Sequence, residues 1–147
     1  MNYVRVGQWW AYVCLIIGFF NREIIGVSVA WHKTSELVKQ AIRSIPYALT
    51  KVKIFHSNRG KEFDNQLIDE RLETFGITRS FSQAGCPYDN AVAESTYRAF
   101  KLEFTQQELF SSLEELTIKT DDYVHWWNHH RLHGSLNYHL MTKRVIA

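Results

Sequence analysis

The stretch Trp9 to Phe20 reads WWAYVCLIIGFF and is the most apolar part of the chain. It is too short to cross a bilayer as a helix, which takes ~20 apolar residues. It has neither the basic region nor the small-residue cleavage site of a secretory leader. Aromatic and β-branched residues dominate it, and Gly18 and Asn21 end it, so it reads as a buried strand. Arg22 to Ala30 (REIIGVSVA) follows and alternates, as a strand exposed on one side should. The two form an antiparallel hairpin around Phe20-Asn21. Before them, Met1 to Val6 reads as the end of another strand, with Gly7-Gln8 as the turn.

The remaining chain alternates helix and strand signals. Thr34 is an N-cap for a helix over Ser35 to Ile45, with Glu36 in its first turn and Leu37, Val38, Ala41, Ile42 and Ile45 on one face. Pro46 ends it. Lys51 to Ser57 is a strand. Asn65 to Phe75 is a helix stopped by Gly76, and Ile77 to Phe81 is the next strand. Ser82 to Asn90 is a loop. A long helix runs from Ala91 to about Leu109, with Asp89 or Asn90 as its cap. Ser112, with Glu115 as in a capping box, starts a last helix that runs to about His130. Trp126 and Trp127 are expected against the sheet or a partner. A length of 147 residues fits one domain, and only two prolines and seven glycines interrupt it. The formal charge of +2 would not by itself suggest a nucleic-acid partner. Two cysteines, Cys14 (read as a buried small hydrophobe) and Cys86, demand neither a disulfide nor a zinc site and fit a reducing cytoplasm.

Two short stretches carry the chemistry: IFHSNRGKEFDN (Ile54 to Asn65) and CPYDNAVAESTYRAFKLE (Cys86 to Glu103). Asn58 sits at the C-terminal end of its strand, where α/β sheets place ligand-binding residues. Glu94 sits in the first turn of its helix, where the helix dipole favours a carboxylate. The two are separated by 35 intervening residues. Phosphoryl transfer by two metals needs carboxylates that are far apart in sequence and converge in space. Behind Glu94, Arg98 and Lys101 share its helix face and could track a phosphate backbone.

HSNRGKEF, CPYDNAVAES, KLE and NHHRLHGSLNY resemble the integrase catalytic core of bacterial insertion-sequence transposases. These are retroviral-integrase-like Asp, Asp, Glu enzymes of the ribonuclease H-like superfamily. The resemblance covers residues 1–138, lacking the domain's extreme N-terminus, and leaves 139–147 as a divergent tail. It implies an α/β ribonuclease H-like fold, with a mixed five-stranded sheet flanked by helices and a truncated first strand. It implies Mg2+ or Mn2+ as cofactor, and DNA, both transposon ends and target, as partner. A homodimer or a full-length transposase is a further expected partner; a membrane is not. Glu94 matches the catalytic glutamate, and Asn58 occupies the position of the second aspartate. The first aspartate belongs immediately before the segment matched by Met1-Asn2-Tyr3. Gly18 stands where the family usually has an aspartate.

Asparagine offers a carbonyl oxygen but not the charge that holds a hard dication. Metal binding at Asn58 and Glu94 is therefore expected to be weakened or lost, and strand transfer with it. Asp64, Asp69 and Asp89 are nearby acids, and Asp64 could substitute only through a rearranged loop. Lys61, Arg98, Lys101 and Arg131 are the expected DNA contacts, with Lys143 and Arg144 in the tail. The alternative is a module that binds DNA or pairs with full-length transposase and acts as an inhibitor. His125, His129, His130 and His133 invite a zinc hypothesis. The family's N-x-x-R-x-H pattern, matched by Asn128, Arg131 and His133, accounts for that cluster instead.

Overall fold

The computed structural model describes residues 1–83, 90–131 and 144–147. Strand β1 (Asn2–Val6) turns at Gly7, whose φ of +58° suits a residue without a Cβ. It leads into β2 (Trp9–Gly18), which pairs antiparallel with β3 (Ile24–Ala30). Helix α1 (Ser35–Arg43) follows, with the Thr34 hydroxyl capping Leu37 N–H as expected. Then come β4 (Ile54–Ser57), α2 (Gln66–Thr74), capped by Asn65, and β5 (Thr78–Phe81). β4 and β5 are parallel, with α2 as the crossover. Helix α3 (Ala91–Glu103) and helix α4 (Leu113–Trp126), capped by Ser112, complete the expected set.

All five expected strands are present. A sixth, β6 (Arg144–Ile146), was not expected. It runs between β2 and β4, antiparallel to the first and parallel to the second. β1 and β6 lie along the same side of β2, and β3 takes the other side.

The apolar run of β2 is continuous because both faces of the sheet are covered. Ala11, Val13, Leu15 and Ile17 face α3 and α4. Cys14 and Ile16 face α1 and α2. Gly26 on β3 allows α1 to approach closely, since a Cβ there would lie 2.6 Å from the Ala41 carbonyl oxygen.

Helix α3 ends at Glu103, short of the expected Leu109. Phe104 leaves helical geometry (φ −126°, ψ −69°) and stacks on Tyr123, ring centroids 5.2 Å apart. Burying that ring outweighs continuing the helix. Helix α4 passes into a π-helical segment, Trp127–Arg131. There the Trp127 indole N–H donates to the Arg22 carbonyl, and the Asn128 side chain accepts from Ile24 N–H and donates to Ile24 C=O. Trp127 is buried as expected, whereas Trp126 is 40% exposed.

Candidate active site

On β4, Phe55 and Ser57 point into the core, so His56 and Asn58 fall to the opposite face. The His56 ring lies between two hydroxyls: Nδ1 is 2.8 Å from Ser80 Oγ on β5, and Nε2 is 3.1 Å from Ser82 Oγ just beyond it. Asn58 leaves the sheet and is exposed. Its Oδ1 accepts a hydrogen bond from Gly60 N–H at 2.8 Å, an Asx turn that starts the following loop. The loop is anchored by Phe63, 1% exposed, and by Phe63 and Asp64 N–H groups donating to the Gly60 carbonyl.

Arg79 was not singled out by sequence and proves central to this loop. Its guanidinium donates to the Phe63 carbonyl and lies against the rings of Phe81 (4.3 Å) and Phe55 (5.6 Å). Its Nη2 is 3.5 Å from Ser57 Oγ. Burial lowers the guanidinium pKa, and the Asp69 and Asp64 carboxylates oppose that shift. The sequence signal for it was weak, one arginine alternating with smaller residues in TRSF.

Glu94 lies in the first turn of α3, exposed, between the buried Ala93 and Tyr97 that seat the helix. Asn90 occupies the N-cap position, but its side chain does not cap the helix; Asp89, the other expected cap, lies outside the described residues. No hydrogen bond or ion pair joins Glu94 to Asn58. Among the described residues, no group of three His, Cys, Asp or Glu side chains converges to hold a metal. The amide oxygen of Asn58 accepts one hydrogen bond, from Gly60 N–H. Of the two positions, Glu94 brings a carboxylate, and the Asn58 amide brings an oxygen without the charge a hard dication favours.

The other expected site residues divide. Lys61, Arg98 and Lys101 are exposed and carry no ion pair with another of the described residues. Arg131 is engaged: Nε is 3.5 Å from Glu103 Oε1, and its guanidinium lies 5.4 Å from the Trp127 ring centre. The His125 and His129 ring centres lie 4.3 Å apart, tilted by 39°, with no third ligand among the described residues. Cys86, His133 and Lys143 lie outside those residues. Cys14 is fully buried, as expected.

A mixed sheet of this order, with helices on both faces and candidate residues at the end of β4 and the start of α3, defines a ribonuclease H-like fold. Residues 1–87 match a family model described as integrase core domain, and residues 75–139 match a second model of the same description. The chain belongs to the integrase core domain family. It is 30% identical over 141 residues to a protein named as a transposase for insertion sequence element IS986/IS6110 of Mycobacterium tuberculosis, covering 90% of this chain and 51% of that protein. It is 27% identical to transposase InsF for insertion sequence IS3A of Escherichia coli, covering 100% of this chain and 53% of that protein. The chain thus spans about half the length of the curated relatives it matches.

Two solved structures share the fold. One is the catalytic core domain of BIV integrase, with a TM-score of 0.62 at 18% identity, covering 92% of this chain and 84% of that one. The other is a chain of the simian T-cell lymphotropic virus intasome in complex with PP2A regulatory subunit B56 gamma. Its TM-score is 0.64 at 13% identity, covering 93% of this chain and 48% of that one. No helix among the described residues is long and apolar enough to cross a membrane.

Proposed function

We propose that this chain is a DNA-handling transposase core whose metal-dependent strand transfer is weakened or lost. The observation that carries the reading is Asn58. It stands where the family resemblance puts the second catalytic aspartate, and it presents a neutral amide whose oxygen accepts from Gly60 N–H. Mg2+ or Mn2+ would supply charge for the attacking and leaving oxygens of a phosphoryl transfer. Of the two family positions within these residues, Glu94 keeps its carboxylate, whereas Asn58 offers a neutral amide where a charged ligand would hold that ion.

DNA binding survives such a loss, because phosphate contacts need cations rather than the metal. Lys61, Arg98 and Lys101 are exposed and, among the described residues, free of ion pairs. Arg131 is held by Glu103 and contributes less. Binding therefore outlasts catalysis, which favours an inhibitory or partner role over a catalytic one.

Calorimetry with Mn2+, on this chain and on Asn58→Asp, tests the metal half. The reading expects no binding by the native chain and a gain on reversion. Fluorescence anisotropy with a short labelled DNA duplex tests the other half. Removing Lys61, Arg98 and Lys101 together should flatten the log–log salt dependence by up to ~0.9 per lost phosphate contact. Mg2+-dependent joining of DNA ends by the native chain, abolished by Glu94→Ala, would overturn the reading.

A further inference from the structure

Three of the five tryptophans meet at one place. Trp9 and Trp10 open β2, and Trp31 and His32 follow Ala30, the last residue of β3, which faces Tyr12. These four rings line a cavity of 420 Å³. None of the three indoles is buried: Trp9 is 70% exposed, Trp10 47% and Trp31 39%. Tyr3, also exposed, extends the patch, edge-on to Trp10 with ring centres 5.2 Å apart. Exposed apolar residues scattered singly are ordinary, but a contiguous patch marks a binding surface.

The charge around the rings selects among ligands. Arg5 faces Trp10 across the β1–β2 ladder, and its guanidinium carbon lies 5.3 Å from the Trp10 ring centre. Its Nε donates to the Gly7 carbonyl at 2.9 Å, which holds the group in place and leaves both Nη groups for a further partner. Arg5 is in no ion pair with another of the described residues. From Met1 to Arg22 the sequence holds no Asp or Glu. On neighbouring loops Glu62 is paired with Lys33, and Glu108 with Lys119. A cationic ligand such as a methylated ammonium would meet Arg5 at the same indole and find no carboxylate in the cavity lining. A flat ring joined to an anion satisfies both features, the ring stacking on indole and the anion meeting the guanidinium. That is a nucleotide. Its base must be unpaired, because duplex bases are covered on both faces by their neighbours, whereas unstacked bases lie open to aromatic side chains.

We propose that the cavity of Trp9, Trp10, Trp31 and His32 holds unpaired bases of single-stranded DNA, with Arg5 on the adjoining phosphate. This site is separate from Asn58 and Glu94. The Tyr97 hydroxyl accepts from Leu15 N–H and donates to the Leu15 carbonyl, which seats α3 over the middle of β2. The chain runs on through α3 to Phe110, which bridges Val6 at the end of β2 that carries the cavity. Glu94, one turn before Tyr97, therefore lies toward the other end, and Trp10 is roughly 17 Å of strand from Leu15. The choice of DNA as the nucleic acid rests on the function proposed above. The stacking site itself does not, and it shares no residue with the duplex contacts at Lys61, Arg98 and Lys101.

The test is fluorescence anisotropy of a short labelled oligothymidylate with the full chain, with quenching of tryptophan emission as a second signal. Binding accompanied by quenching is expected. An abasic strand of the same length should bind about tenfold more weakly, because stacking carries the affinity. Trp9→Ala combined with Trp31→Ala should cause a similar loss for oligothymidylate, with little change in Tm because both rings are exposed. Phe at both positions should restore most of the binding. Arg5→Gln should lower the log–log salt slope by ~0.7. Equal affinity for the abasic strand, or undiminished binding by the double alanine variant, would refute the proposal. So would a dimer in sedimentation that the alanine pair dissociates without changing strand binding; the rings would then serve a second copy of the chain. Tighter binding of the ribose counterpart would overturn the assignment to DNA. A duplex probe separates this site from the function proposed above. A chain that binds duplex but no single strand lacks this site and keeps that function. A chain that binds single strands through the rings but no duplex keeps this site and loses the contacts at Lys61, Arg98 and Lys101.

Discussion

On the α1–α2 face of the sheet the buried side chains are mostly aliphatic: Ile16, Ile25, Leu37, Val38, Ala41, Ile42, Ile68 and Leu72. On the α3–α4 face they are largely aromatic outside the strands: Tyr97, Phe100, Phe104, Phe110, Tyr123 and Trp127. Aliphatic packing is non-directional, and α1 is located by close approach over Gly26. Aromatic packing here comes with polar handles. Tyr97 bonds to Leu15, Tyr123 to Glu103, and Trp127 to Arg22. These handles fix the rotation and depth of the helices, which hydrophobic contact alone leaves loose. Directional bonds occur on the α1 side too, where the Ser28 hydroxyl donates to the Leu37 carbonyl and the Ser44 hydroxyl accepts from Val27 N–H, but on the face that carries Glu94 the core aromatic rings themselves make them.

The largest effect should come from Phe100→Ala. That ring is fully buried and meets both Phe104 and Tyr123 at 5.3 Å. Its loss should cost ~3–5 kcal/mol in urea unfolding, and a much smaller cost would break the idea that the aromatic cluster holds α3 to α4. On the opposite face, Gly26→Ala sharpens the contrast. The new Cβ would meet backbone rather than a yielding side chain, so a loss of ~1–3 kcal/mol is expected from the same measurement. Asn128→Ala removes both bonds to the Ile24 backbone and should cost ~1–2 kcal/mol, with faster hydrogen exchange at Ile24.

The smallest effect is a slope. Burial pushes the Cys14 thiol up from 9.0 to about 12. Above pH 9 the unfolded chain ionises this thiol while the folded chain does not. Stability should therefore be constant below pH 9 on this account and fall as pH rises toward 12. The slope should be around 1 kcal/mol per pH unit. Cys14→Ala should flatten the curve, and an unchanged slope would assign it to other groups.

Much of this was legible in the sequence. Thr34, Asn65-side and Ser112 signals marked helix starts that the structure keeps, and the WWAYVCLIIG run placed β2. The resemblance placed the family. β6 was not legible: three residues make no periodicity, and their pairing with β2 and β4 is non-local. Tyr97 read as one more core aromatic at helical spacing, because nothing local in a sequence reveals which phenol reaches a strand. Arg79 was hidden for the same reason, its partners being a carbonyl and two rings in other elements. α3 ended early because the Phe104 ring found a better place than the next helical turn.

The two bonds from Asn128 to Ile24 have a consequence for behaviour in concentrated solution. β3 pairs with β2 alone among the described strands, so its far side is an open ladder. Such a ladder invites a strand from another molecule. The Asn128 amide closes both groups of Ile24, and the Ser44 hydroxyl accepts the N–H of Val27 at 2.8 Å. Two side chains thus plug the ladder at successive outward positions. The Asn128 end of α4 is in this sense a guard on the edge where a strand of a second molecule would otherwise pair.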